Sequence, residues 1–413
     1  LSPNGIFGDY IAGVLPEVGE DNVPEKEFDS LMEEILFVDC DYETKLEQAD
    51  RITTHPDMES PEMKNIAWKS SIAFYQAFNK YLEDYTENIK FKDFHFEKTE
   101  FTKDQIEKMF YNRFARYPVY ERFEKIAYFI ADRVEDEQDQ AFTDEKHQKM
   151  ENQITKEMIY QYAERNLIEL YQNFLNSQAE QYPGIEQYRN EYGKVCYEDI
   201  LAVFYLQIYF YGCKSYDNIK HLVIDEMQDY SYLQYTILEM LFHCRMTILG
   251  DRAQTLDTKQ QDVLRFLPKL LGREIRTIEI KKSYRNTLEI ARYAEKVSGV
   301  SDLELLDRHG KEVVEKTFNT DMELLDELVC HLKCPGDFET AALITTTEEE
   351  AFDLSRLLQL RGINVSYVDR NSSAFKKGLT VTTFYLAKGL EFDQVFALRG
   401  AKENPLKNQA EYI

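Results

Sequence analysis

From residue 196 onward the sequence alternates short apolar runs with helix-patterned stretches, and this alternation constrains the fold more than any other feature. The runs are HLVID, RMTILG, TIEI, AALITT, INVSYV, LTVTTF and QVFAL. Apolar runs of this length between helical patterns predict parallel strands covered on both faces, and so an α/β fold. A break near residues 270–280 and a second strand series from about residue 312 predict two such units. Upstream the texture differs. From about residue 49 to 195 nearly every segment has helical spacing, as in IAWKSSIAFYQAFNKYLEDY and KMFYNRFARYPVYERFEKIAYFIADRVEDE, whose apolar positions recur at three and four. That stretch predicts an all-helical subdomain whose aromatic stripes form its core. Residues 1–48 read as a strand end, a glycine-punctuated turn and the helix EKEFDSLMEEIL, and no solenoid period is visible.

Composition bounds the function classes. A chain of 413 residues is long enough for two or three domains, and 43% hydrophobic residues with 28 Tyr and 26 Phe mark a folded protein. The net charge of −26, from 49 basic and 75 acidic residues, argues against gripping a phosphate backbone over a large area, since that needs clustered Lys and Arg. It suits a basic protein partner instead. Six scattered cysteines have no disulfide-framework spacing. Only Cys330 and Cys334 sit close, and they have no second pair and no His cluster beside them. Reduced structural thiols and a cytoplasmic location are therefore expected. No run of 18 or more apolar residues exists, so no membrane span is expected, and no signal peptide is visible.

Chemistry concentrates at the ends of the predicted strands. In open parallel sheets ligands bind outside the carboxyl ends of strands, and HLVIDEMQD places Asp225, Glu226 and Gln228 at such an end. Two readings of the paired acids compete there. They are a metal-and-water site, or helix-capping charges that the helix dipole favours anyway. The next strand, RMTILG, runs into Gly250, Asp251 and Gln254, a second polar cluster beside the first. KKSYRN then presents Tyr284 for stacking and Arg285 as a planar fork for phosphate oxygens. LTVTTFYLAKGLEFDQVFAL carries Lys388, Gly389 and Glu391 between two strands.

In this order and spacing DEMQD, GDRAQ, SYRN and TTFYLAKGLEFDQV resemble motifs II, III, IV and V of superfamily 1 helicases of the UvrD/Rep type. The resemblance implies RecA-like P-loop NTPase lobes using ATP and Mg²⁺. Asp225 would hold the Mg²⁺ and Glu226 would be the general base. Gln228 and Gln254 would sense the γ-phosphate, with Arg285 an arginine finger from the second lobe. Tyr284 would stack on adenine, while Gly389 and Glu391 would touch the γ-phosphate and ribose. Tyr385 stands where UvrD and Rep carry a His facing the bound strand. Two departures are large: no G-x-x-x-x-G-K-[ST] occurs, and the Arg-bearing motif VI is missing. The expectation is an internal fragment whose own ATP hydrolysis is negligible.

Together with LSPNGIFGDYIAGVLPEVGEDNV and YEDILAVFYLQI, the set is similar to the HelD family of RNA-polymerase-associated, helicase-like ATPases. On that resemblance residues 1–48 begin the first lobe, 49–195 are a helical insertion, 196–275 complete the lobe and 276–413 are the second. The partner would be RNA polymerase, reached through the insertion, with DNA or RNA bound weakly or through polymerase. ADRVEDEQDQ at 131–140 is either an acidic tip for a basic channel or a solvated helix end. A UvrD/Rep-type DNA-unwinding helicase and a non-catalytic polymerase-binding scaffold are the alternatives.

Overall fold

The computed structural model describes residues 1, 24–54, 60–138, 142–251, 263–272, 275–298, 304–333, 339–370, 372 and 377–399. The first half is helical except for one β-hairpin, so the stretch 49–195 is not the all-helical subdomain expected from its spacing. This half contains α1 (Phe28–Ile35), α2 (Lys45–Thr54), α3 (Pro61–Lys69) and α4 (Ile72–Glu87), then a hairpin of β1 (Phe94–Phe96) and β2 (Thr99–Phe101). After it come α5 (Lys103–Lys108), a π-helical turn at Met109–Arg113, α6 (Val119–Gln138), α7 (Asp144–Tyr162), α8 (Leu167–Gln178) and α9 (Tyr197–Tyr211). Each of the two long helical patterns in the sequence is interrupted. The first breaks at Ser70–Ser71, where the Ser71 hydroxyl accepts from the Phe74 N–H and caps α4. The second breaks ahead of Pro118, whose ring is tolerated just before a helix begins.

The helix α9 lies at the centre. Its residues are apolar on nearly every side and almost all buried, as expected of a helix surrounded by others. It packs against α3, α6 and α8, and also against α10 (Tyr232–Leu241), which belongs to the first α/β layer. One continuous core therefore runs from Phe28 to Leu271. The aromatic stripes, including Phe74, Phe78, Phe123 and Phe174, are wholly buried within it.

In that layer β3 (His221–Ile224) pairs parallel with β4 (Arg245–Ile248), His221 opposite Arg245 and Ile224 opposite Ile248. On the other side of β3 the Leu1 carbonyl accepts from the Asp225 N–H. The inward face, with Leu222 and Ile224, is buried, whereas His221 and Val223 are exposed. Among the described residues this small sheet is thus covered on one face, not on both. The helix α11 (Val263–Leu270) packs on α10.

The second unit is a four-stranded parallel sheet in the order β10 (Gln394–Ala397), β7 (Thr340–Thr345), β9 (Gly378–Thr383), β8 (Ser366–Tyr367). The helices α13 (Asp321–Lys333) and α14 (Glu348–Leu360) bury Leu325, Leu328, Ala351 and Leu358 against Leu343 and Val381 of its strands. The short helix α15 (Phe384–Ala387) follows β9 directly. Ahead of this sheet β5 (Lys282–Ser283) pairs parallel with β6 (Glu304–Leu305), the two flanking α12 (Leu288–Ser298). The expected strand TIEI does not form. Residues 275–280 carry no ladder among the described residues, and Ile278 and Ile280 are 70% and 78% exposed, so their apolar alternation has no sheet face to enter.

Helices and short parallel sheets thus make a mixed α/β fold. No helix among the described residues is long and apolar enough to cross a membrane, and no disulfide joins the described cysteines. Cys334 lies outside the described residues.

Candidate active site

The acids that follow β3 sit where the strand gives way to a 3₁₀ turn at Met227–Asp229. The ladder is carried past the strand ends: the Leu249 N–H donates to the Ile224 carbonyl and the Met227 N–H to the Leu249 carbonyl. This tight return places Glu226 in the left-handed region, at φ 51° and ψ 52°. A non-glycine residue there costs about 1–2 kcal/mol, and such strain clusters at functional sites. The Asp225 carboxylate accepts from the Glu226 N–H at 2.9 Å.

Gln228 ties the two strand ends together. It is buried, its Nε2 donates to the Glu226 carboxylate and its Oε1 accepts from the Asp251 N–H at 3.1 Å. The neighbouring Gly250 has to be glycine. A Cβ there would lie 2.4 Å from Gln228 Oε1 and 2.6 Å from the Met227 backbone nitrogen. Asp225, Glu226, Gln228 and the Gly250–Asp251 corner therefore form one cluster, while Gln254 lies outside the described residues.

The second unit reaches into this cluster through Lys388. Its Nζ donates to both Asp229 carboxylate oxygens at 2.8 Å and lies 3.5 Å from Glu226 Oε2. Burial pushes the Glu226 carboxyl up, and Lys388 offsets this only in part because Asp229 and Asp225 push the same way as burial. One residue on, Gly389 takes φ +85°, a turn open to glycine at little cost. Two residues further, Glu391 forms an ion pair with Arg285. Both members of that pair are largely exposed, as is Tyr284 beside them. The segment Lys388–Glu391 thus touches Glu226 at one end and Arg285 at the other. Arg285 meets Glu391 there, and its guanidinium is engaged by a carboxylate.

Tyr385 is 5% exposed and points inward. It packs with Leu386 and Val368 against Leu46 and Ala49 of α2, and its hydroxyl donates to Asp50 Oδ1 at 2.9 Å. A side chain enclosed in this way is not free to face a bound strand in this arrangement.

Of the acidic run at 131–140, residues 131–138 are the end of α6. Ala131 and Val134 are buried. Asp132 meets His147, Glu135 accepts from the Phe142 N–H, and Glu137 accepts from Thr99 and Arg133. Asp136 is exposed, and Asp139 lies outside the described residues.

A second charged group, unremarked in the sequence, lies under α2 and α9. Arg51 donates to Glu43 at 2.9 and 3.0 Å and to Glu198 at 3.0 Å, while Lys69 meets Asp199 at 2.6 Å. Asp199 also accepts from the Tyr171 hydroxyl. Burial pushes the Asp199 carboxyl up to about 6, with Lys69 opposing. Burial works the same way on Glu198, but Arg51 and then Lys69 outweigh it and hold that carboxyl below its ordinary value. Cys196, Glu198 and Asp199 lie within metal-ligand reach of one another. Their carboxylates are already neutralised by Arg51 and Lys69, and burial beside those acids drives the Cys196 thiol up, away from the thiolate a metal needs. The group is an ion-pair cluster. YEDIL was its only trace in the sequence.

No protein-family model matches the chain, and no curated protein matches it significantly.

Proposed function

We propose that this chain belongs to an ATP-hydrolysing motor of the superfamily 1 type, with RecA-like lobes, that remodels RNA polymerase complexes with nucleic acid. One observation carries the reading. Asp225, Glu226 and Gln228 converge at the carboxyl end of a parallel strand, on a strained turn, with a lysine of a second α/β unit against the glutamate.

The donor set fits Mg²⁺, which keeps several waters and takes one or two carboxylates besides phosphate oxygens. Asp225 would hold it. Bound Mg²⁺ would neutralise charge on the transferring phosphoryl group. Glu226, its proton affinity raised by burial, is suited to accept a proton from an attacking water. Gln228 holds that carboxylate in place and links it to the β4 corner. The phosphates themselves find no G-x-x-x-x-G-K-[ST] cradle in this sequence. The activity is therefore proposed for a product in which such a cradle is joined to this chain.

The test is Mg²⁺-dependent ATP turnover by that product and by its Glu226→Gln variant. Loss of about 100-fold or more in the variant, with nucleotide binding kept, is expected of a general base. Turnover indifferent to the substitution overturns the reading. Capture of bacterial core RNA polymerase by the same product separates the polymerase remodeller from a DNA-unwinding helicase. The helicase would instead bind single-stranded DNA tightly with a steep salt dependence.

A further inference from the structure

We infer that α2 is the coupling strut of the molecule, a single helix through which the helical layer sets the position of the second α/β unit. The inference rests on what the helix touches, independently of any ATP chemistry.

On one side α2 is locked into the helical layer. Arg51 is held by Glu43 and Glu198, and Gln48 donates to Glu198 Oε2 at 2.7 Å, all three partners being buried. On its other side the same helix receives the carboxyl ends of three strands of the second sheet. Asp50, one residue before Arg51, accepts from the Tyr385 hydroxyl after β9 and from the Glu348 N–H after β7. Arg370, after β8, lies 3.5 Å from Asp50 and is gripped by Glu348 at 2.7 Å. Leu46 and Ala49 add an apolar seat for Tyr385 and Leu386. Adjacent residues of one short helix therefore face opposite units. A ten-residue helix is too short and too well hydrogen-bonded to bend between them, so a shift of Arg51 carries Asp50 with it. Elements that respond to two sites in this way have to show reciprocal coupling.

Hydrogen exchange on the whole chain tests this. Glu198→Gln removes one of the three carboxylates, Glu43, Glu62 and Glu198, that meet Arg51 in its clamp, without touching the second unit. Exchange is expected to rise at least threefold in α2 and also in residues 366–370 and 378–388, while α13 stays unchanged. Reciprocally, Arg370→Met with Tyr385→Phe is expected to raise exchange at the start of α9. Gln48→Met, a milder change on α2 itself, gives the same pattern at smaller amplitude and serves if Glu198→Gln does not fold. If either change on the clamp side loosens α2 alone, or if the Arg370 and Tyr385 pair leaves α9 untouched, α2 is a passive contact and the inference is wrong.

Discussion

Replacing Arg51 by Met tests how much the buried ion cluster holds. Arg51 is the common partner of Glu43, 2% exposed, and Glu198, 7% exposed, with contacts of 2.9 to 3.2 Å. Methionine keeps the stem and most of the volume, so the loss is that of the charge. Removing one partner of a buried pair leaves uncompensated charge and costs about 3–5 kcal/mol, a third or more of a typical domain's stability. Glu198 and Glu43 now sit together with Gln48, Asn190, Lys69 and the Tyr197 N–H among their remaining polar support. The pH dependence has a definite sign. In the wild type Arg51 and Lys69 hold Glu198 below its ordinary value, a contribution present at neutral pH and lost as pH falls through the acid range. In the variant the same carboxylate takes up a proton more readily. The stability gap between wild type and R51M should therefore narrow as pH falls from 7 towards 4. The assay is urea unfolding followed by the fluorescence of Trp68, the chain's single tryptophan. Its ring packs 5.0 Å from Phe74 and 4.3 Å from Tyr182, close to Lys69 of the cluster. A cost below about 1 kcal/mol, or a gap that does not change with pH, would refute the view that these charges are mutually dependent.

Three further outcomes are expected. Gly250→Ala drives a methyl into Gln228 Oε1 and the Met227 backbone; overpacking plus one lost hydrogen bond predicts a cost of about 2–4 kcal/mol, checked by denaturant melts. Asp199 titrates at about 6 in the fold against 3.8 ordinarily, so the stability it contributes is full at low pH and is lost as pH rises through 6. The stability difference between wild type and Asp199→Asn should accordingly shrink by up to about 3 kcal/mol from pH 4 to pH 7, and a difference that grows instead would overturn the assignment. Glu226→Gly relieves the left-handed backbone and should cost no more than about 1 kcal/mol in net stability while abolishing turnover of the full product. A loss above about 2 kcal/mol would make the Glu226 carboxylate a structural group.

The parallel strands were legible because each carries its own local signal: HLVI, RMTI, TAALIT and GLTVTT are short, apolar and bounded by turns, and all four form. TIEI has the same local pattern and forms no strand, because a strand needs a partner row and a covered face, neither of which is encoded within four residues. The helix interruptions at Ser70–Ser71 and Pro118 follow from capping and proline chemistry, yet the unbroken apolar period across them hid the breaks. The grouping of Asp225, Glu226 and Gln228 was legible from spacing alone, being contained in four residues at one strand end. Contacts between distant segments were not. Asp50 meets Tyr385 across 335 positions and Arg51 meets Glu198 across 147, and no periodicity announces either. Such pairings depend on how whole elements pack, and single charged residues on helices look the same in sequence whether solvated or buried.

Two readings of the DE pair remained open in the sequence, helix-capping charges or a site for metal and water, and the backbone bears on them. The 3₁₀ turn after Glu226 spans three residues, and the helix that follows, α10, is capped by Ser231 and Gln234, not by either acid. Glu226 makes no side-chain cap. Its carboxylate is instead turned toward Gln228 and the ammonium of Lys388, in a backbone conformation that glycine would adopt at lower cost. Burial raises its proton affinity as well. A residue that only capped a helix would need neither the strain nor the desolvation. Both costs fall on the same side chain, and the proposed role of Glu226 as a general base, which needs a fixed position and a raised proton affinity, would account for both.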